Sequence, residues 1–146
     1  MSTNLNRYTT KAQEAVIQAQ SLAEELNHSQ VEPEHLLLAL LEQKDGVVPQ
    51  ILTKLGSSPS ELTSELNKYL AGRAKAFGPV QRYLSAELGR VLSRAESKAG
   101  QMHDEFISTE HLLIACTAAR GPLGDLLRRY KITPERIYQV LTGIRG

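Results

Sequence analysis

The sequence predicts an all-α domain of eight helices, arranged as two four-helix repeats related by a pseudo-twofold axis. The first observation is a duplicated motif, because "VEPEHLLLA" at 31–39 returns as "ISTEHLLIA" at 107–115, an offset of 76 residues. The second is that apolar residues recur at spacings of three and four, which is typical of helices with one buried face. The third is that no alternating run of β-branched residues predicts a strand.

The duplication extends beyond the shared motif. Upstream, the same offset places one apolar stripe on another, so that Ala12, Val16, Ala19 and Ala23 align with Leu88, Leu92, Ala95 and Ala99. Downstream the offset becomes 75, because one residue is lost in a loop. We therefore expect repeats at about 8–70 and 84–144, joined by a connection at about 71–83. Each repeat is too small to bury a core alone, so residues 1–146 form a single domain.

Four helices are expected in the first repeat. The first begins at Thr10, with Gln13 completing a capping box. The second, "EPEHLLLALLEQ", is apolar on nearly all sides and starts with Pro33, so we expect it to be the buried central helix. The third, around "VVPQILTKL", ends at Gly56 in a left-handed conformation. The fourth opens at "SPSELTSEL", with Ser58 as its cap.

The second repeat follows the same order. Its first helix carries an apolar stripe from Leu88 to Ala99, and its buried second helix, "TEHLLIACTA", begins behind Ser108. A third helix is expected around "PLGDLLRRY", and a fourth opens at Thr133 and Pro134. The connection "AGRAKAFGPVQRY" contains two glycines and a proline without a sustained period, so it is predicted to be a loop.

Composition excludes several classes of function. Lys plus Arg number 17 and Asp plus Glu number 16, and the net charge of +1 offers no electrostatic case for nucleic acid or an anionic membrane. No stretch approaches the ~20 apolar residues of a membrane span, and the start of the chain lacks a signal peptide, so we expect a cytoplasmic location. Cys116 lies in an apolar run without a second thiol, which predicts a buried packing residue.

No motif predicts catalysis or a bound cofactor. Neither a P-loop nor a dinucleotide fingerprint is present, so this chain is not expected to be an enzyme or to hold a cofactor or metal. A cross-repeat metal site would require His35 and His111 to converge from the starts of two buried helices. The favoured alternative places each Glu-His pair on a polar first helical turn, beside the helix dipole. Asp104 and Glu105 would need burial beside a substrate for acid–base work, and a solvated turn is the expected interpretation.

Several of these motifs together resemble a known family. The two "EHLL" copies, the "A-x-x-x-A-x-x-L-A" helix before the first, "NRYTTKAQEAVIQAQSLA", "DEFISTEHLL" and the final "IRG" are similar to the Clp amino-terminal repeat domain, in the form carried by ClpB-type disaggregases. The resemblance covers Leu5 to Gly146. It implies a substrate-recruiting domain attached to a hexameric AAA+ ring, whose absent modules would bind ATP and Mg.

The resemblance also implies partners and site residues. Unfolded or aggregated polypeptide would bind weakly in a groove and pass to the ring, and the DnaK system would act through the parent protein. No nucleic-acid or membrane partner is implied, and the isolated domain is expected to be monomeric. The family's binding surface uses a threonine at the first helix, an acidic pair around the second "EHLL" and an exposed leucine on the fifth helix. These correspond to Thr9, Asp104, Glu110 and Leu92.

Alternatives stay open for two of these residues and for the function. Leu92 aligns with Val16 on the interior stripe, which predicts a core position, and Thr9 is equally suited to cap a helix. A different function, adaptor docking or phosphoarginine binding by a ClpC-like or ClpA-like N-domain, would need a basic or N–H-rich pocket near each Glu-His pair. A stand-alone metal-dependent enzyme is the third hypothesis, and it predicts bound metal.

Overall fold

A computed structural model describes residues 5–78 and 80–145. Within these ranges the chain forms eight helices: α1 (Thr10–Glu25), α2 (Pro33–Glu42), α3 (Val47–Lys54), α4 (Pro59–Ala71), α5 (Ala86–Gln101), α6 (Thr109–Cys116), α7 (Pro122–Arg129) and α8 (Pro134–Arg145). The predicted eight-helix, all-α fold is therefore confirmed. No helix in these ranges combines the length and apolar character of a membrane span. Pro79 of the connection and Gly146 of the final "IRG" lie outside the described residues.

α1 begins at Thr10 as predicted, but its capping residue differs from the prediction by one position. Thr9 caps the helix, because its Oγ1 accepts a hydrogen bond from the backbone N–H of Ala12 at 3.2 Å. The predicted capping box of Thr10 and Gln13 is therefore wrong. The Gln13 side chain does reach back, but its amide donates to the backbone carbonyl of Tyr8 at 3.1 Å. The polar residues at the helix start were recognised correctly, and their register was not.

The two units place the same local backbone features at the same offset. Ser85 caps α5 as Thr9 caps α1, since its Oγ accepts the N–H of Leu88 at 3.0 Å. Asn27 and His103, which follow α1 and α5, both adopt left-handed conformations with φ of 60° and 59°. Such a conformation is uncommon outside glycine, so its occurrence at matched positions supports a duplicated unit.

The third and fourth helices of the first unit meet at the turn that the sequence predicted. Gly56 follows α3 with φ of +84°, a left-handed conformation that a side chain would strain. Ser58 then caps α4, because its Oγ accepts the backbone N–H of Glu61 at 3.2 Å. Both predictions are confirmed.

Helices α2 and α6 form the centre of the core. Every residue of α2 before its last is buried, and α1 packs along it as α5 packs along α6. Contacts between α2 and α6 join the two units, so neither unit closes its core by itself. Cys116, at the end of α6, is fully buried as predicted, and burial raises the pKa of its thiol to about 12.

Two short parallel strands, which the sequence did not predict, tie the units together. β1 (Gln30–Val31) precedes α2 and pairs with β2 (Tyr83–Leu84), which precedes α5. A matching bridge joins Tyr8, before α1, to Ile107, before α6. In each unit, the segment before the first helix thus pairs with the segment before the second helix of the other unit. Strands of two residues are too short to show the alternation by which strands are recognised.

The last helix of each unit, α4 or α8, breaks the symmetry between the units. α4 packs on α2 of its own unit, whereas α8 packs against α3 of the other unit. Arg136 of α8 fixes this contact, since its Nη2 donates to the backbone carbonyl of Leu55 at 2.8 Å. Because α4 and α8 take different partners, the grooves around the two central helices differ in shape and lining.

The histidines at the starts of α2 and α6 are fully buried, so their predicted place on a polar first turn is wrong. The Nδ1 of His35 accepts the backbone N–H of Glu32, and the Nδ1 of His111 accepts that of Ser108, both at 2.9 Å. Each imidazole thereby satisfies the donor at the helix cap. With Nδ1 accepting, the proton of a neutral ring lies on Nε2, and the Nε2 of His35 donates to the Nδ1 of His28 at 2.9 Å.

This buried pair makes folding sensitive to pH. Burial lowers the pKa of His35 to about 4, and His28 adds to the effect. An unfolded histidine titrates near 6.5. The folded state, in which His35 is neutral, is therefore fully stable above that pH and loses stability as the pH falls towards 4, because protonation of His35 favours unfolding. We expect the free energy of unfolding, measured with urea, to fall by about 2 kcal/mol between about pH 7.5 and pH 5.

A pair of variants isolates the buried histidine. His35→Gln should remove most of this pH dependence, because the group that titrates is gone. His103→Asn, at an exposed position whose left-handed backbone suits asparagine, should retain it. Equal pH dependence in both variants would show that His35 is not the source.

Candidate functional site

Three of the four residues that the sequence assigned to a binding surface meet at the start of α6. After α5, the left-handed His103 turns the chain into the segment that carries Asp104. The backbone carbonyl of Ile107 in this segment accepts the N–H of Thr9 at 2.9 Å, which brings the start of α1 to the same place. Glu110 lies in the first turn of α6. The backbone pairing between units therefore assembles these side chains.

Arg145, at the end of α8, holds the two acidic residues together. Its Nη1 donates to Asp104 Oδ2 at 3.1 Å, and its Nη2 donates to Glu110 Oε2 at 2.7 Å. On the other side, the Nε2 of His111 donates to Asp104 Oδ2 at 2.8 Å. Sequence analysis did not identify Arg145, because 41 residues separate it from Asp104 and 35 from Glu110.

Hydrogen bonds keep both carboxyl groups ionised. Burial raises the pKa of Glu110, but hydrogen bonds from Arg145 and Ser108 outweigh it, and the pKa lies below its usual value. Burial likewise opposes ionisation of Asp104, yet hydrogen bonds from His111 and Arg145 lower its pKa. Asp104 is therefore part of an ordered ionic cluster, and the expected solvated turn is wrong for this residue.

An exposed aromatic side chain lies in the same segment. Phe106 is 49% exposed, two residues after Asp104, and Ile144 beside Arg145 is 37% exposed. Sequence analysis did not select Phe106, although one aromatic residue in the polar run "DEFIS", outside any helical period, is a pattern that indicates exposure. We name this surface the α6 edge: Thr9, Asp104, Phe106, Glu110 and Arg145. It combines fixed charges with apolar surface.

Thr9 is a helix cap and Leu92 is a core residue, which are the structural alternatives that the sequence left open. Thr9 caps α1, as described above. Leu92 is 7% exposed and lies on the buried face of α5, so the expectation of an exposed leucine there is wrong. Its Cα lies nine residues before the end of α5, about 14 Å along the helix axis. The assignment of Leu92 to a binding surface stays a prediction, and the burial of its side chain does not support it.

The histidines do not form a shared metal site. His35 bonds to His28 and His111 bonds to Asp104, so the two imidazoles have separate partners and do not converge. Among residues 5–78 and 80–145, no three His, Cys, Asp or Glu side chains are placed to hold one ion.

The fold defines a helical module built from two interlocked repeats. Residues 7–130 match the family described as the Clp repeat (R) N-terminal domain, and the chain belongs to this family. Chaperone protein ClpB of Bacillus anthracis is 34% identical over 147 residues, which cover 98% of this chain. The chain spans 17% of the length of that relative.

Solved structures share the architecture. The Hsp104 N-terminal domain from Candida albicans superposes with a TM-score of 0.82 at 20% identity, covering 97% of this chain and 93% of that one. The ClpV N-domain in complex with a VipB peptide superposes with a TM-score of 0.75 at 17% identity, covering 94% and 88%. At these identities the likeness concerns the fold, and it agrees with the helical arrangement that the sequence predicted.

Replacing Arg145 should change the ionisation of the α6 edge. In Arg145→Gln, Glu110 loses its strongest charged partner, so its pKa should rise. Because Arg145 is partly exposed, the loss of stability should be no more than about 1 kcal/mol. Carboxyl-carbon NMR followed through a pH titration measures the pKa directly.

Arg128→Gln is the matched control, since Arg128 pairs with Asp125 on the exposed face of α7. It should leave the titration of Glu110 unchanged. A Glu110 pKa that is the same in Arg145→Gln as in the original chain would contradict the geometry described here.

Proposed function

We propose that the chain is the substrate-recruiting N-terminal domain of a ClpB-like AAA+ disaggregase. It binds unfolded or aggregated polypeptide weakly and passes it to the ATPase ring of a hexameric parent protein. That parent acts in the cytoplasm with the DnaK system and uses ATP and Mg in modules outside this chain. Family membership and the 34% identity to a ClpB over 98% of the chain support this proposal.

The observation that carries the binding site is the exposure of Phe106 beside ionised Asp104 and Glu110. An unfolded polypeptide presents unpaired backbone N–H groups and apolar side chains together. Carboxylate oxygens accept such N–H groups in charge-assisted hydrogen bonds, and an aromatic face contacts apolar side chains of many shapes. A small surface of this kind favours variety of cargo over affinity.

Preorganisation supports the same site. Asp104 is held by His111 and Arg145, so little conformational entropy is lost when it accepts a ligand's N–H. The ClpV N-domain, which has the same fold, has been solved with a bound peptide. Peptide capture by this chain is consistent with that precedent.

The test is an NMR titration of the ¹⁵N-labelled chain with reduced, carboxymethylated α-lactalbumin, a permanently unfolded polypeptide. We expect amide shifts to cluster at Thr9, Asp104, Phe106 and Glu110. Phe106→Ser should weaken binding about ten-fold, because most of the apolar contact is removed. Phe77→Ser, which removes another exposed phenylalanine from the connection between units, should bind like the original chain.

Two outcomes would overturn the assignment of the site. One is a set of shifts that avoids the α6 edge, and the other is equal loss of binding in the two phenylalanine variants. Absence of any interaction with the unfolded polypeptide would count against the recruiting function itself.

The second candidate function is adaptor docking or phosphoarginine binding, as in a ClpC-like or ClpA-like N-domain. One observation favours it: Asp104 and Glu110 already hold a guanidinium group, that of Arg145. The same carboxylates would suit the guanidino group of a modified arginine, provided that Arg145 moves away.

Titration with free phosphoarginine separates the two functions. Under the disaggregase proposal, Arg145 keeps its ion pairs while cargo N–H groups bond to the remaining acceptor sites of the carboxylates, so a competing guanidino group should not bind and the amides of Asp104 and Glu110 should not respond. Arg145→Ala, which vacates them, provides the comparison in the same experiment. Saturable shifts at these amides in the unmodified chain would favour the phosphoarginine function.

A further inference from the structure

A second surface, which shares no residue with the α6 edge, lies between α5 and α6. We name it the α5–α6 groove, a depression of about 350 Å³ between α5, α6 and the start of α8. Its apolar floor is formed by Ile114, Ala115, Ala118 and Pro134. Arg94 and Lys98 form its wall, one helical turn apart on α5. No carboxylate is among the described residues that line it.

The charge of Arg94 is incompletely matched. Its Nη1 lies 3.5 Å from Glu87 Oε2, and this nitrogen is buried without a hydrogen-bond acceptor. Glu87 is shared among other donors, since it also accepts from Arg90 Nε at 2.8 Å and from the backbone N–H of Arg120 at 2.9 Å. The Arg94 side chain as a whole is 30% exposed, so the rest of its guanidinium group stays open to the groove, and an anionic group placed there would form a charge-assisted hydrogen bond.

Lys98 adds a second cation, and its two partners in the described part of the chain carry no charge. Its Nζ donates to Gln101 Oε1 at 3.0 Å and lies 5.5 Å from the ring centroid of Tyr138 on α8. Both partners are neutral, so they orient the ammonium group without cancelling its charge. The groove therefore presents two positioned cations above an apolar floor.

The corresponding place in the first unit shows different chemistry. There, Gln18 occupies the position of Arg94, and Glu42 occupies that of Ala118. The amide of Gln18 donates to Glu42 Oε1 at 3.2 Å, so its polar groups satisfy each other. The cationic groove is thus a property of the second unit and does not follow from the fold.

We propose that the α5–α6 groove binds a short acidic peptide segment with a large aliphatic side chain beside its carboxylates. A carboxylate pairs with Arg94 and a second with Lys98, while the aliphatic side chain covers Ala118 and Pro134, the more exposed part of the floor. Charge complementarity argues for this occupant, because residues 76–146 contain ten Lys and Arg against seven Asp and Glu. This site goes beyond the α6 edge, which is itself acidic and would repel such a segment.

The test uses a fluorescein-labelled peptide of sequence DLEELD, and its amide counterpart NLQQLN as a control for shape. We expect the acidic peptide to raise fluorescence anisotropy saturably, and the amide peptide to bind at least about ten-fold more weakly. Arg94→Gln, which copies the first unit's residue, should weaken the acidic peptide about ten-fold. Lys44→Gln removes one positive charge from an exposed position elsewhere and should not change the affinity.

Arg94→Lys keeps the charge and should retain binding if Arg94→Gln acts through electrostatics and not through misfolding. Amide shifts in the ¹⁵N-labelled chain should map to residues 93–101 and 114–118. Equal affinity of the two peptides, or shifts confined to the α6 edge, would overturn the proposal. Concentration-dependent dimers in sedimentation that Arg94→Gln dissociates would also overturn it, because they would assign the groove to a second copy of the chain.

Discussion

Reciprocal backbone pairing between the two units is the constraint on which the rest of the structure depends. The N–H of Thr9 bonds to the carbonyl of Ile107, and the N–H of Ser85 bonds to that of Val31, each at 2.9 Å. Every one of these residues lies just before or at the start of a helix, so the pairing sets where α1, α2, α5 and α6 begin. The fixed segment before each buried second helix lets a histidine accept the N–H of the residue that caps that helix. The packing of α2 on α6, and with it the common core, follows from this arrangement.

The same constraint gives both units one hydrogen-bond geometry with different acceptor groups. In each unit a buried imidazole directs its Nε2–H at the residue seven positions earlier, which is His28 in the first and Asp104 in the second. Either acceptor satisfies the donor. A neutral imidazole stays inside the core, whereas a carboxylate attracts a cation, and Arg145 supplies it. A surface cluster thereby arises at a position whose repeat mate is purely structural.

Helices, repeats and most caps could be predicted from the sequence because they rest on local spacing. The apolar stripe also placed Leu92 correctly in the core, where the family resemblance had suggested exposure. Arg145 could not be found in this way, since its ion pairs join residues that only the tertiary fold brings together. The burial of His35 was missed for a related reason: polarity predicts a surface, but an imidazole whose two nitrogens are both bonded is stable inside.

The two proposed surfaces carry opposite charge, and both include residues of α6. α5 has 16 residues and is about 24 Å long, so the α6 edge at its end and the α5–α6 groove along its side lie within reach of one extended peptide. A peptide bound at one surface has a raised effective concentration at the other, so two weak contacts together give a higher overall affinity than either alone. Under the proposed recruiting function, quick dissociation of each weak contact would let the cargo move onward. Opposite charges further restrict the orientation of a bound chain, because its acidic and basic stretches are drawn to different ends of the module.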